Sequence, residues 1–200
     1  DDQLQAQVAA FYQKRDDIQI KQSLVQSRED SEAPDFTDYF GNSANGSNYG
    51  LEVELNWYAS DILSLFASLG WLETEYDIPL SEDLDSRQQA HAPSYQFALG
   101  TTLQLNQNLD LTLDIEGKDE FYLSSSHNEQ TESYELLNAN LTYSIEGWQL
   151  SLWGRNLTDE DIIVRGFGGF GNDPRKFYET EAYYQYGEPR MFGLSGKYDF

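Results

Sequence analysis

The chain is predicted to be all-β, an antiparallel up-and-down meander of about nine strands. Three observations carry that reading. Apolar residues recur at every second position and hardly ever at helical spacing. The segments defined this way are joined by connections that alternate between very short and very long. The last segment, Arg190–Phe200, alternates strictly and ends on an aromatic.

Taken in order, the N-terminal pair, roughly Leu4–Gln13 and Ile18–Gln26, alternates weakly. In Tyr49–Tyr58, Leu51, Val53, Leu55 and Trp57 oppose Glu52, Glu54 and Asn56. The next run sets Leu63, Leu65, Ala67, Leu69 and Trp71 against Ser64, Ser68 and Gly70. Tyr95–Leu105 alternates likewise, with Thr101 the one polar residue on its apolar face. The clearest strand is Leu109–Glu116, where Leu109, Leu111, Leu113 and Ile115 oppose Asp110, Thr112, Asp114 and Glu116. Leu137, Ala139, Leu141 and Tyr143 form the next apolar row, and Trp148, Leu150 and Leu152 the one after. In the last segment Phe192, Leu194, Gly196, Tyr198 and Phe200 share a face.

Strands of this length, tilted, span the hydrocarbon of a bilayer. Short connections are expected at residues 14–17, 59–61, 106–108 and 145–147, and long ones at 27–48, 73–93, 118–133 and 159–189. Short turns at one rim and long loops at the other are the asymmetry of a transmembrane barrel. The aromatics agree: Tyr12, Trp57, Tyr143, Trp148, Tyr198 and Phe200 lie near short turns or the C-terminus, and Trp71 and Tyr95 near the loops. On this reading Leu51, Val53, Leu55, Leu63, Leu65, Leu109, Leu111, Leu113, Leu150 and Leu194 face lipid, while Glu52, Glu54, Asp110, Asp114, Glu116 and Arg155 line the lumen. Nine is an odd count, and single-chain bacterial barrels use even ones. The whole of residues 1–200 is therefore expected to be one segment of a larger barrel.

Composition narrows the class. The formal charge is −23, from 35 acidic and 12 basic residues, which repels phosphate backbones and speaks against nucleic-acid partners. With no cysteine there are no disulfides and no thiolate metal sites. No run approaches the ~18 apolar residues of a membrane-spanning helix, and low hydropathy is no objection to a barrel, whose strands turn only alternate residues to lipid. The start, Asp1-Asp-Gln-Leu-Gln, has neither the basic nor the apolar region of a signal peptide.

Four stretches, taken together, resemble one family. They are Tyr49-Gly-Leu-Glu-Val-Glu-Leu-Asn-Trp57, Leu65–Tyr76, Trp153-Gly-Arg-Asn-Leu-Thr-Asp-Glu160 and Tyr186-Gly-Glu-Pro-Arg-Met-Phe-Gly-Leu-Ser-Gly-Lys-Tyr-Asp-Phe200. The chain is similar to the C-terminal part of the β-barrel of TonB-dependent outer-membrane receptors. The resemblance implies a roughly 22-stranded barrel with a plugged lumen, of which these would be the last strands. It implies a place in the bacterial outer membrane, among its lipid and lipopolysaccharide. It also implies energy-coupled uptake of a scarce nutrient, most often a ferric siderophore and sometimes cobalamin, haem or an oligosaccharide. Its partners would be a plug domain, an inner-membrane energy-coupling complex and the barrel-assembly machinery, which reads a terminal signal here matched by Phe192, Leu194, Tyr198 and Phe200. The plug and the coupling segment are absent from this sequence, so the fragment alone is not expected to transport anything.

The residues themselves point to no reaction. His91 and His127 fall in different long loops, and no Gly-x-Ser-x-Gly elbow is present, so an enzyme is not expected and neither is a cofactor. Glu73, Glu75, Asp77 and the run Ser81-Glu82-Asp83-Leu84-Asp85 could attract divalent ions, but without an EF-hand pattern a solvated loop is the simpler reading and no metal site is assigned. The best ligand-contact stretch is Arg165-Gly-Phe-Gly-Gly-Phe-Gly-Asn-Asp-Pro-Arg175 with its continuation. Arg165, Phe167, Phe170, Arg175, Phe177, Tyr178, Tyr183, Tyr184 and Tyr186 offer charge and flat faces on a pliable backbone. The competing reading is a loop packed on its own aromatics. Two other architectures fit the alternation: a passive outer-membrane channel, and a soluble β-sandwich or lipocalin-like binding module whose interior is the apolar face. The second leaves the one-sided long loops and the terminal Phe without a reason.

Overall fold

The structure, a computed structural model, describes residues 3–26, 35–77, 87–124, 128–170, 174–177 and 181–199. It is all-β and antiparallel. Eight strands form one meandering sheet: β1 (Leu4–Gln26), β2 (Asp35–Ser60), β3 (Leu63–Asp77), β4 (Tyr95–Asn106), β5 (Leu109–Lys118), β6 (Tyr134–Ile145), β7 (Trp148–Arg155) and β10 (Met191–Tyr198). Between β7 and β10 the chain makes an excursion that contains a separate hairpin, β8 (Ile163–Phe170) and β9 (Glu181–Tyr186), with a 3-10 turn at Pro174–Lys176.

The register shows why the alternation was readable. Val53, Leu69, Phe97 and Gly117 stand opposite one another in successive strands, as do Leu55, Ala67, Leu99, Ile115 and Leu137. Further along, Leu141, Leu152 and Leu194 continue the same face. Side-chain period and pairing register therefore agree across the whole sheet, leaving one apolar and one polar face. Thr101, the exception, directs its hydroxyl back to the Ser64 carbonyl at 3.2 Å, which satisfies the group where no water would. On the polar face hydroxyl and amide ladders cross strands: Thr102 with Thr112 at 3.1 Å, Thr142 with Ser151 at 3.0 Å, and Asn138 donating to Asp114 at 2.8 Å.

The N-terminal pair is one strand. Asp16 and Asp17 oppose the single Asn45 in a bulge, with Asp17 at φ 58° donating its backbone N–H to Asn45 Oδ1 at 3.2 Å. A charged tetrapeptide that reads as a turn is absorbed here without reversing the chain. Two consequences follow. The region expected as the loop 27–48 is strand from Asp35 onward, so β1 and β2 form a ribbon that continues well past the end of β3 at Asp77, which pairs with Asn45. Tyr12, placed with the short turns, instead pairs with Tyr49, which makes an edge-on contact with Trp71 at 5.8 Å. It belongs to the loop-end belt. Trp148 and Tyr198, 4.8 Å apart, remain at the short-turn end. The main sheet thus has eight strands and three short turns, each of two residues; at Glu146 (φ 46°) and Gly147 (φ 84°) both values are positive, which suits a two-residue hairpin.

Among the described residues β1 pairs only with β2 and β10 only with β7, so the sheet is open. Among the described residues no second sheet covers its apolar face as in a sandwich, and the sheet does not close on itself as in a lipocalin. Among the described residues, the buried ones other than glycine, Ala44, Phe121, Leu123, Ile162, Thr74, Arg87, Gln89, Thr131 and Asn156, gather toward the long-loop end. A wall one residue thick has no core of its own. Only the loop layer packs upon itself.

Candidate ligand-contact surface at the long-loop rim

Two loop segments build the floor of this layer. In 87–94, Gln89 is held by three contacts: its backbone N–H donates to Thr74 Oγ1 at 2.9 Å, and its side-chain amide to Asn48 Oδ1 at 2.6 Å and to the Glu75 carbonyl at 3.5 Å. Arg87, buried beside it, donates to Asn128 Oδ1 at 2.8 Å and to the Ser124 carbonyl at 2.6 Å, and lies 4.4 Å over the Tyr122 ring. In 119–133, Thr131 and Phe121 exchange bonds and Leu123 N–H donates to the Glu129 carbonyl, closing a small hairpin around the buried Phe121 and Leu123. Alternation gave no sign of Arg87 or Gln89. A buried arginine held by carbonyl, amide and ring has no periodic neighbours to mark it.

The β8–β9 hairpin leans on this floor. The space over Gly166 is filled by the buried Leu123, whose Cδ1 would stand 2.3 Å from an added Cβ, so any larger residue there would have to displace that side chain. On the same face Tyr184 donates its hydroxyl to Glu129 Oε2 at 2.6 Å. That bond to a carboxylate raises the Tyr184 pKa, since ionising the phenol would set two anions together. The protonated form is favoured when the loops are docked. The contact is accordingly complete below the ordinary phenol value and is lost as pH rises through the raised one. Tyr184→Phe should remove one alkaline-shifted phenol from the phenolate absorbance titration, and Glu129→Gln should move that component down; an unchanged titration in both variants would show that the bond does not persist in solution.

The sequence-based ligand-contact residues fall out unevenly. Arg165 and Tyr183 lie on the hairpin face opposite Tyr184, and both are exposed, as is Tyr186. Phe177, at φ 53° after the 3-10 turn, is 93% exposed, with Arg175 exposed just before it. The backbones of Phe167 and Phe170 pair with Tyr183 and Glu181, while their side chains, and all of Tyr178, lie outside the described residues. Tyr184 is drawn into packing by its bond to Glu129, whereas Tyr183, Tyr186 and Phe177 are exposed. The His91 ring lies tilted at 47° to that of Phe121, 5.7 Å away; His127 and the acidic run 81–85 lie outside the described residues. Of the terminal signal residues, Phe192, Leu194 and Tyr198 are exposed on the apolar face of β10, opposite Gly154, Leu152 and Trp148, and Phe200 lies outside the described residues.

On the polar face below the rim, a groove of about 460 Å³ runs past Glu52, Glu54, Gln96, Glu116, Lys118 and Tyr134. Among the described residues no group of three or more His, Asp or Glu side chains is placed to hold a metal ion.

A single-layer antiparallel sheet, apolar outside and polar inside, with aromatic belts and a packed loop layer at one rim only, is the wall of an outer-membrane barrel. The chain belongs to the TonB-dependent receptor family: residues 1–157 match the family model described as TonB dependent receptor-like, beta-barrel. Members of this family are outer-membrane β-barrel proteins of Gram-negative bacteria, receptors and transporters rather than enzymes. Among solved structures it is similar to the ferric yersiniabactin uptake receptor FyuA from Yersinia pestis, at 18% identity and TM-score 0.78, over 100% of this chain and 28% of that one. It is also similar to the siderophore receptor PiuA from Acinetobacter baumannii (16%, TM-score 0.71, 97% of this chain, 26% of that one) and to the copper transporter OprC (15%, TM-score 0.74, 100% and 30%). The chain thus spans less than a third of the length of the proteins it matches.

Proposed function

We propose that residues 1–200 are the C-terminal segment of the barrel of a receptor for energy-coupled nutrient uptake, with a ferric siderophore as the ligand class. The apolar face meets outer-membrane lipid and, near the rim, lipopolysaccharide. The polar face encloses a plug domain. Open sheet edges are too costly to leave in hydrocarbon, so β1 and β10 pair with further strands of the same barrel. The plug, the energy-coupling complex and the assembly machinery that reads Phe192, Leu194, Tyr198 and Phe200 act on the whole protein.

The observation that carries the ligand reading is local charge. In a chain of net charge −23, residues 163–177 hold Arg165, Arg175 and Lys176 against the single acid Asp173, interleaved with Phe167, Phe170 and Phe177. Such a cation- and aromatic-bearing stretch, neutral through Tyr186 once Glu179 and Glu181 are counted, repels an anionic, ring-bearing iron chelate less than the acidic protein as a whole does. Ligands named for similar proteins support the class: FyuA takes ferric yersiniabactin and PiuA is a siderophore receptor. The surface comprises Arg165, Phe167, Phe170, Arg175, Phe177, Tyr178, Tyr183 and Tyr186, with Tyr184 docking it.

Radiolabelled uptake into iron-starved cells tests this, comparing ferric catecholate, ferric hydroxamate and ferric citrate with copper and cobalamin. One ferric chelate should be accumulated. Replacing Tyr183 and Tyr186 together by Ala should raise its half-saturating concentration about tenfold or more, the scale of a lost aromatic hot spot. Uptake of copper or cobalamin alone, or insensitivity to the double variant, would overturn the assignment.

A further inference from the structure

Two sequence stretches, Arg155-Asn-Leu-Thr-Asp-Glu160 and Gly187-Glu-Pro-Arg190, flank the β8–β9 excursion and contain none of the candidate ligand-contact residues. In the structure they meet. Asn156, 3% exposed and at φ 49°, ends β7 in the left-handed conformation. Its backbone N–H donates to Asn138 Oδ1 at 3.0 Å, which ties it to the wall. Its side chain bridges both legs of the excursion: the amide donates to the Glu160 carbonyl at 2.9 Å and to the Glu188 carbonyl at 3.2 Å, and Oδ1 accepts the Glu160 N–H at 2.9 Å.

Asp159, at φ 63°, adds a second rung. Its carboxylate accepts the Arg190 backbone N–H at 3.1 Å and pairs with the Arg190 guanidinium at 3.0 Å. A third rung lies above, where Gly187 N–H donates to the Ile162 carbonyl at 2.8 Å, and Ile162 fills the space over that glycine. We propose that Asn156, Asp159 and Arg190 are positioning residues that clasp the two legs of the excursion, so that the β8–β9 hairpin stands over the rim as one rigid arm. The proposal rests on the ligand-surface reading only for the arm's purpose, not for its mechanics.

The strengths of the rungs differ. Asn156 is buried and makes three hydrogen bonds through its side-chain amide, two donated and one accepted, so its link is shielded from water on the asparagine's side. The Asp159–Arg190 pair is half exposed and screened, so it contributes less. Hydrogen exchange of the full-length receptor in detergent reads the arm directly and needs no ligand, so failure of the ferric-ligand reading leaves it unaffected. Asn156→Gly keeps the left-handed backbone and the bond to Asn138 while removing the bridges. It should speed exchange at the amides of Ile163–Phe170 and Glu181–Tyr186 by about 10- to 100-fold, with β4 to β6 unchanged. Asp159→Asn should give about threefold at the same amides, and Arg190→Lys, which keeps the ion pair, should match the parent.

Unchanged exchange in the hairpin would overturn the proposal, as would acceleration spread evenly over the wall. Should Asn156→Gly fail to assemble, the Asp159→Asn and Arg190→Lys pair decides: equal exchange in the two would sink the clasp.

Discussion

Leu113→Arg is expected to cost the barrel about 2–4 kcal/mol, because it sets a guanidinium near the midplane of the hydrocarbon band with no partner on that face. Leu113 stands between Thr101 and Ala139 in the apolar layer, two residues from Leu111 and Ile115. Its pairing partners on either side, Thr101 and Ala139, carry no charge that could offset a guanidinium. The neighbouring Thr112→Arg points into the polar face and gives up only the hydroxyl contact with Thr102. It should cost about 1 kcal/mol or less. Urea unfolding of the receptor in detergent or vesicles measures both. Equal losses would mean that the two faces are equally wet, and would overturn the assignment of the apolar face to lipid.

The second large effect is steric. Gly50 opens the Gly-Leu-Glu stretch, and a Cβ there would lie 2.3 Å from the Trp71 carbonyl and 2.7 Å from Phe11 Cζ. A carbonyl in a strand cannot swing aside as a side-chain tip can. Gly50→Ala should therefore cost about 1–3 kcal/mol even after the gain from a stiffer unfolded chain is subtracted. Gly196→Ala, where the nearest atom is Leu150 Cδ2 at 3.5 Å, should be neutral or mildly stabilising, by up to about 1 kcal/mol. Opposite signs in the urea midpoints are expected; a Gly50→Ala as stable as the parent would show that the strand can shift to admit the methyl.

These pairs also mark how far the sequence could be read. Seven of the wall's eight strands were legible as segments because a side chain's face is set by parity alone, and Leu109–Glu116 needs no partner to declare its two faces. Parity fails where geometry adds a residue. The bulge at Asp16 and Asp17 hid the continuity of β1, and with it the true level of Tyr12. It fails again in the loop layer, where Arg87, Gln89 and Glu129 are held by contacts to segments some 40 residues away for the first two and 55 for the last. The β8–β9 hairpin was legible as a ligand-contact stretch from its aromatics, but not as strands, since glycines at 166, 168 and 169 leave no alternation to follow. Asn156 lay in a recognised motif, yet nothing local says that its amide reaches Glu188.

The pairing of β10 with β7, rather than with β9, bears on the order of assembly. Every other neighbour in the main sheet follows in sequence, so its contacts are short-range and each hairpin can close as it forms. The last strand must instead find its register across residues 156–190. Closing a floppy segment of about 35 residues costs roughly 2 kcal/mol more than closing one of four, by the logarithmic dependence of loop entropy on length. A preformed link between Asn156 and Glu188 collapses that long path to a few residues. Met191 would then be delivered opposite Arg155 already in step, and the terminal strand would join the sheet at nearly the speed of a tight hairpin.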